Sequence, residues 1–121
     1  MPMRSIRTAV VGAVLAGGLA AVPADAHAPV VGTFPAKGAT VSPIRTVSVR
    51  FGDAVVTGTI SVARSDGSAV AARAVGLAPG NHALLRASFA RKLGRGRYTV
   101  SWRARAGDGH SERGTFGFRV R

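Results

Sequence analysis

The sequence predicts an all-β protein, an antiparallel β-sandwich of about seven strands behind a short apolar leader. Three observations carry that expectation. Apolar and polar residues alternate with a period of two in run after run, Gly, Pro and Asp turn signals separate the runs, and no window shows a helical period of comparable strength.

The leader comes first. MPMRSIRT carries two arginines and no acid, and it feeds a run of small apolar residues from Ala9 to Val22. That run is shorter than the roughly 20 apolar residues of a comfortable membrane span. Pro23 and Ala24-Asp25-Ala26 follow, the A-x-A pattern cut by a signal peptidase, so residues 1–26 read as a secretory signal peptide. Cleavage after Ala26 leaves one domain, residues 27–121, expected in the periplasm or otherwise outside the cytoplasm. A domain of this size buries a working core without staples, and the chain has no cysteine to make any.

Within the mature chain, Val47, Val49 and Phe51 alternate with Ser48 and Arg50. Ile60 and Val62 alternate with Thr59 and Ser61 and lead into Arg64-Ser65-Asp66-Gly67-Ser68, whose Asp-Gly pair marks a hairpin. After Pro79-Gly80-Asn81, the residues Leu85, Ala87 and Phe89 share a face. The clearest run is Tyr98, Val100, Trp102 and Ala104 against Thr99, Ser101, Arg103 and Arg105. Phe116, Phe118 and Val120 close the chain. Without helices to cover a parallel sheet, these strands imply an immunoglobulin-like Greek-key sandwich. Tyr98, opening a late strand after a Gly-rich corner, suits a tyrosine corner, and Trp102 reads as core because its same-parity neighbours are apolar.

The chain carries 17 Lys and Arg against 5 Asp and Glu, a formal net charge of +12. Such an excess favours polyanions. Along the chain, however, the arginines read as scattered singly, at Arg45, Arg64, Arg73 and Arg103, and the nearest thing to a patch is Arg91 to Arg97. Nucleic acid is not expected as a partner of an exported protein with this pattern. Loose attraction to anionic lipid or cell-envelope polymer is the milder expectation.

Against so few acids, Ala106-Gly107-Asp108-Gly109-His110 stands out. An Asp-Gly pair is first of all a turn signal. It is also half of a metal site if a second histidine joins it, and cleavage after Ala26 makes His27 the first residue of the mature protein. A free α-amine and the imidazole of an N-terminal His chelate a metal together. Asp108 and His110, at i and i+2, point to one side if their segment is extended. Three nitrogens and a carboxylate oxygen without sulfur favour Cu(II), then Ni(II), with Zn(II) third. Spacing alone leaves the turn and the metal site both open.

Here the sequence resembles the CopC-type periplasmic copper-binding proteins. The resemblance rests on His27-Ala28, Pro35-Ala36-Lys37-Gly38-Ala39-Thr40, Tyr98-Thr99-Val100-Ser101-Trp102, Asp108-Gly109-His110 and Gly114-Thr115-Phe116-Gly117-Phe118. It spans the mature chain, with specific motifs at its two ends and a merely compatible middle. It implies one Cu(II) per chain, held by the amine and imidazole of His27 with Asp108 and His110. Phe51-Gly52-Asp53 stands where many members have Phe-Ser-Glu-Pro, so the resemblance makes Asp53, one carbon shorter and without the proline, a candidate weak axial ligand or a partner of the ligands, and as easily a turn residue. Some members hold Cu(I) in a Met-rich loop. Here the methionines are Met1 and Met3, both in the leader, so no Cu(I) site is expected.

Three function classes follow. The leading expectation is a non-enzymatic copper carrier or buffer in copper homeostasis or resistance, a monomer handing Cu(II) to a CopD-like membrane transporter or another acceptor. No nucleophile with a base is evident, since there is neither cysteine nor a Gly-x-Ser-x-Gly elbow. The second is an immunoglobulin-like structural or adhesive module that binds anionic envelope polymers through its arginines. The third is a copper oxidase with an N-terminal histidine brace, which would need a second histidine and an open position for oxygen.

Overall fold

The computed structural model describes residues 28–121. The expected leader and His27 lie outside the described residues.

Among the described residues, nine strands form two sheets: β1 (Val30–Phe34), β2 (Thr40–Val41), β3 (Thr46–Phe51), β4 (Val55–Arg64), β5 (Ala69–Val70), β6 (Ala74–Ala78), β7 (Asn81–Ser88), β8 (Gly96–Ala106) and β9 (Ser111–Val120). One sheet has the order β1-β3-β7-β6 and the other β2-β9-β8-β4-β5. Two of the nine, β2 and β5, are only two residues long, and the remaining seven carry the sandwich. Pairing is antiparallel except where Thr40 and Val41 run parallel beside Arg119 and Val120. The architecture is the all-β sandwich read from the sequence.

The alternation does what the period of two requires. Along β8, Tyr98, Val100, Trp102, Ala104 and Ala106 are buried and every residue between them is exposed. Val47, Val49, Leu85 and Val100 are fully enclosed between the sheets, each burial contributing about 1.5–3 kcal/mol before the cost of ordering the chain. Phe51 of one sheet meets Trp102 of the other edge to face, with ring centroids 5.4 Å apart. Gly58 on β4 leaves the room that Leu85 of the opposite sheet occupies, since a Cβ there would lie 2.9 Å from both Leu85 methyls. Tyr98 does form the expected corner. Its hydroxyl donates to the Gly94 carbonyl at 2.6 Å, and its ring stacks on Phe118, its cross-strand partner.

The five strands legible in the sequence are β3, β4, β7, β8 and β9, all interior to their sheets. The four edges, β1, β6, β2 and β5, left no alternation to read. Their burial patterns explain this: β1 buries none of its residues, and β6 buries Ala78 alone. An edge strand half out of the core has no apolar face to declare.

One expectation from the sequence is corrected by the register. Arginines that are scattered along the chain are gathered across it. Arg97 stands directly opposite Arg119, and Arg103 directly opposite Arg113, on the outer face of the five-stranded sheet. Strand pairing brings together residues that linear spacing keeps apart.

Candidate metal centre

The candidate site begins with the β8–β9 hairpin, whose loop is Gly107-Asp108-Gly109-His110. Ala106 N–H donates to the His110 carbonyl at 2.8 Å, and Gly109 N–H donates to the Ala106 carbonyl at 3.0 Å. Gly109 takes φ +93°, a left-handed conformation that a β-carbon would strain, so glycine is required there. The turn reading of "AGDGH" is therefore correct as far as the backbone goes. The expected extended segment is not what aligns Asp108 with His110. The turn does so: Asp108 Oδ1 accepts the His110 backbone N–H at 2.9 Å, and Asp108 Oδ2 lies 2.9 Å from His110 Nδ1.

A second hairpin in the same molecule shows which part of this is generic. Arg64-Ser65-Asp66-Gly67-Ser68 repeats the geometry, with Arg64 N–H to the Ser68 carbonyl at 2.8 Å, Gly67 N–H to the Arg64 carbonyl at 2.8 Å, and Gly67 at φ +88°. Asp66 Oδ1 accepts both the Ser68 backbone N–H at 2.8 Å and the Ser68 hydroxyl at 2.7 Å. The hydroxyl and backbone donors of Ser68 hold the Asp66 carboxyl below its ordinary range, because they stabilise its ionised form. In each turn the aspartate fixes the loop through one oxygen. What differs is the residue two positions on: a serine in one, an imidazole in the other. An imidazole nitrogen and a carboxylate oxygen facing each other are donors for a borderline divalent cation, which the Asp66 turn does not offer.

Register shows what else lies at this end. Val55, opening β4, pairs with Ala106 at the root of the hairpin, so the β3–β4 turn containing Gly52 and Asp53 is at the same end of the sandwich. Val30 pairs with Phe51, and Gly52 N–H donates to the Pro29 carbonyl at 2.7 Å. Ala28, next in the chain after His27, is buried in the core. The start of the described chain is thus fixed beside the β3–β4 turn. His27 itself is outside the described residues. Asp53 is exposed in its turn, where the turn-residue reading also puts it.

Among the described residues, no three of the His, Asp and Glu side chains converge as a metal-binding group. Asp108 and His110 converge as a pair. The sequence reading passed over Glu112. It is half-buried, sits opposite Ala104, and shares the inward parity of Phe116 and Phe118 on β9. An acid at a core-facing parity position is a signal the alternation already contained, and it sits two residues from His110.

The model of the CopC domain matches residues 30–121. The fold is similar to that of CopC from Methylosinus trichosporium OB3b, at 27% identity over 78% of this chain and 93% of that one, with a TM-score of 0.67. It is similar also to PcoC, a methionine-rich copper resistance protein from Escherichia coli, at 20% identity over 78% of this chain and 99% of that one, with a TM-score of 0.66. Among curated proteins nothing matches.

Proposed function

The chain belongs to the CopC domain family, and on that premise we propose that it is an extracytoplasmic Cu(II)-binding protein that carries or buffers copper. One observation supports the reading above the others: His110 Nδ1 and Asp108 Oδ2, 2.9 Å apart, face each other at the end of the sandwich where the buried Ala28 anchors the chain just after His27. Copper is cargo in this reading. The donor set would be the α-amine and imidazole of His27, the Asp108 carboxylate and the His110 imidazole, one Cu(II) per chain. Nitrogen and oxygen donors without sulfur suit Cu(II) over Cu(I), and a chain whose methionines are at positions 1 and 3 has no thioether cluster to hold the reduced ion. The carrier acts by binding and release, with a membrane copper transporter as acceptor. It is exported through the signal peptide of residues 1–26 and acts as a monomer. Asp53 and Glu112 are candidates for tuning the site through hydrogen bonds to its ligands.

The test uses a bond that no side-chain substitution touches. A preparation that keeps one methionine before His27 converts the α-amine to a peptide nitrogen, which is not basic and yields its proton reluctantly. The amine–imidazole chelate is lost while every side chain stays. In competition titration against a common chelator, the extended protein is expected to bind Cu(II) far more weakly than the one beginning at His27. Equal affinities would overturn the role of the amine.

A further inference from the structure

The outer face of the five-stranded sheet carries five arginines, Arg97, Arg103 and Arg105 on β8 with Arg113 and Arg119 on β9, all exposed. Two pairs of them stand directly opposite one another, Arg97 with Arg119 and Arg103 with Arg113. Like charges directly opposite destabilise a sheet. Among the described residues no carboxylate forms an ion pair with any of the five, and the outward positions of β4, β8 and β9 carry no acid. A compositional bias toward arginine would load both faces of the sandwich alike. It does not. The strands of the other sheet carry Arg50 and Arg86, which pair with Leu84 and Ser48 and not with each other.

We propose that this face binds a linear phosphate-bearing polymer along β8 and β9. A shallow cavity of about 510 Å³ is lined by Arg103 and Arg113 together with Thr59, Ser61, Ser101 and Thr115. A second, of about 650 Å³, lies at the other end of the same strands and is lined by Arg97, Arg119 and Lys37. Arginine forks match tetrahedral phosphate oxygens two at a time, and the serine and threonine residues that line the same cavity offer donors for the oxygens that remain, which a planar carboxylate would not supply. The two arginine pairs are six residues apart on β8, about 20 Å of extended chain, so one small anion cannot engage both. A chain of repeating phosphates can. A bilayer fits less well: of the large exposed apolar residues among the described ones, only Val56 belongs to this sheet.

The face is independent of the copper reading, and its test is run in excess chelator to keep the two apart. Fluorescence polarisation of labelled inorganic polyphosphate is followed for the purified protein and three double variants that each remove two positive charges: Arg97→Ser with Arg119→Ser, Arg103→Ser with Arg113→Ser, and Arg50→Ser with Arg86→Ser on the other sheet. Binding by the parent is expected to weaken with salt at a log–log slope of about −3 for four phosphate contacts. Each outer-face pair is expected to cost at least about tenfold in affinity, and the other-sheet pair less than about threefold. Since removing opposed charges relieves repulsion, the first two variants are expected to unfold no earlier than the parent on heating. Equal loss in all three variants would make the effect net charge alone and overturn the proposal. So would absence of polyphosphate binding, or tighter binding, per phosphate, to vesicles of phosphatidylglycerol and phosphatidylcholine.

Discussion

The indole of Trp102 lies on Gly114, its cross-strand neighbour on β9, so closely that a β-carbon at position 114 would come within 2.8 Å of Cζ2 and 3.0 Å of Cε2 and Nε1. The same indole meets Phe51 edge to face across the core, so it is held from both sides. Gly114→Ala is expected to destabilise the protein by about 1–3 kcal/mol through overpacking. Thermal unfolding followed by the fluorescence of the single tryptophan reads this as a fall in Tm of several degrees or more. An unchanged Tm would mean that the ring slides aside at no cost.

The corner hydrogen bond from Tyr98 to Gly94 has a separate, smaller expectation. Tyr98→Phe keeps the ring stacked on Phe118 and removes only the hydroxyl. Gly94 is exposed, so its carbonyl regains water, and the loss is expected near 0.5–1.5 kcal/mol. Urea unfolding should show a lower midpoint with an unchanged slope, since the surface exposed on unfolding is the same.

The two matched hairpins provide an internal control for copper. Asp66→Ala and Asp108→Ala remove an aspartate from the same turn position, and both loosen a loop. Only Asp108→Ala is expected to weaken Cu(II) binding, by at least about tenfold, as is His110→Ala. Isothermal titration of the three variants checks this, and a loss of the same size in Asp66→Ala would assign the effect to general loosening of the fold.

Asp66 also predicts a pH response. Its carboxyl is held below the ordinary range in the folded protein, so the stabilisation it contributes is present above the unfolded carboxylate value and fades as pH falls through the lower folded value. Ser68→Ala removes the largest cause, the hydroxyl donor, and is expected to move the Asp66 titration upward. Carboxyl chemical shifts followed by NMR between the parent and the variant read the shift directly, and an unmoved midpoint would assign the depression to the backbone donor and Arg64.

What the sequence determined by itself was the interior. Val49, Val62, Val100, Trp102 and Phe118 were legible as core because a strand with neighbours on both sides must keep one face dry, and that requirement repeats every second residue. The Asp-Gly turns were legible for an equally local reason, the left-handed glycine each one needs. The motifs at the two ends carried the family resemblance without any structure.

Tertiary structure decided what local periodicity cannot encode. The edge strands took their conformation from a single neighbour and not from an apolar face of their own, so β1 and β6 left no pattern. Register, a relation between strands, placed Val55 beside Ala106 and Val30 beside Phe51, bringing the start of the domain, the β3–β4 turn and the Asp108–His110 pair to one end. The same register set Arg103 against Arg113 and Arg97 against Arg119. Along the chain those arginines are ten and more residues apart. A hairpin folds that distance to one strand spacing, about 5 Å, and turns scattered charges into a face.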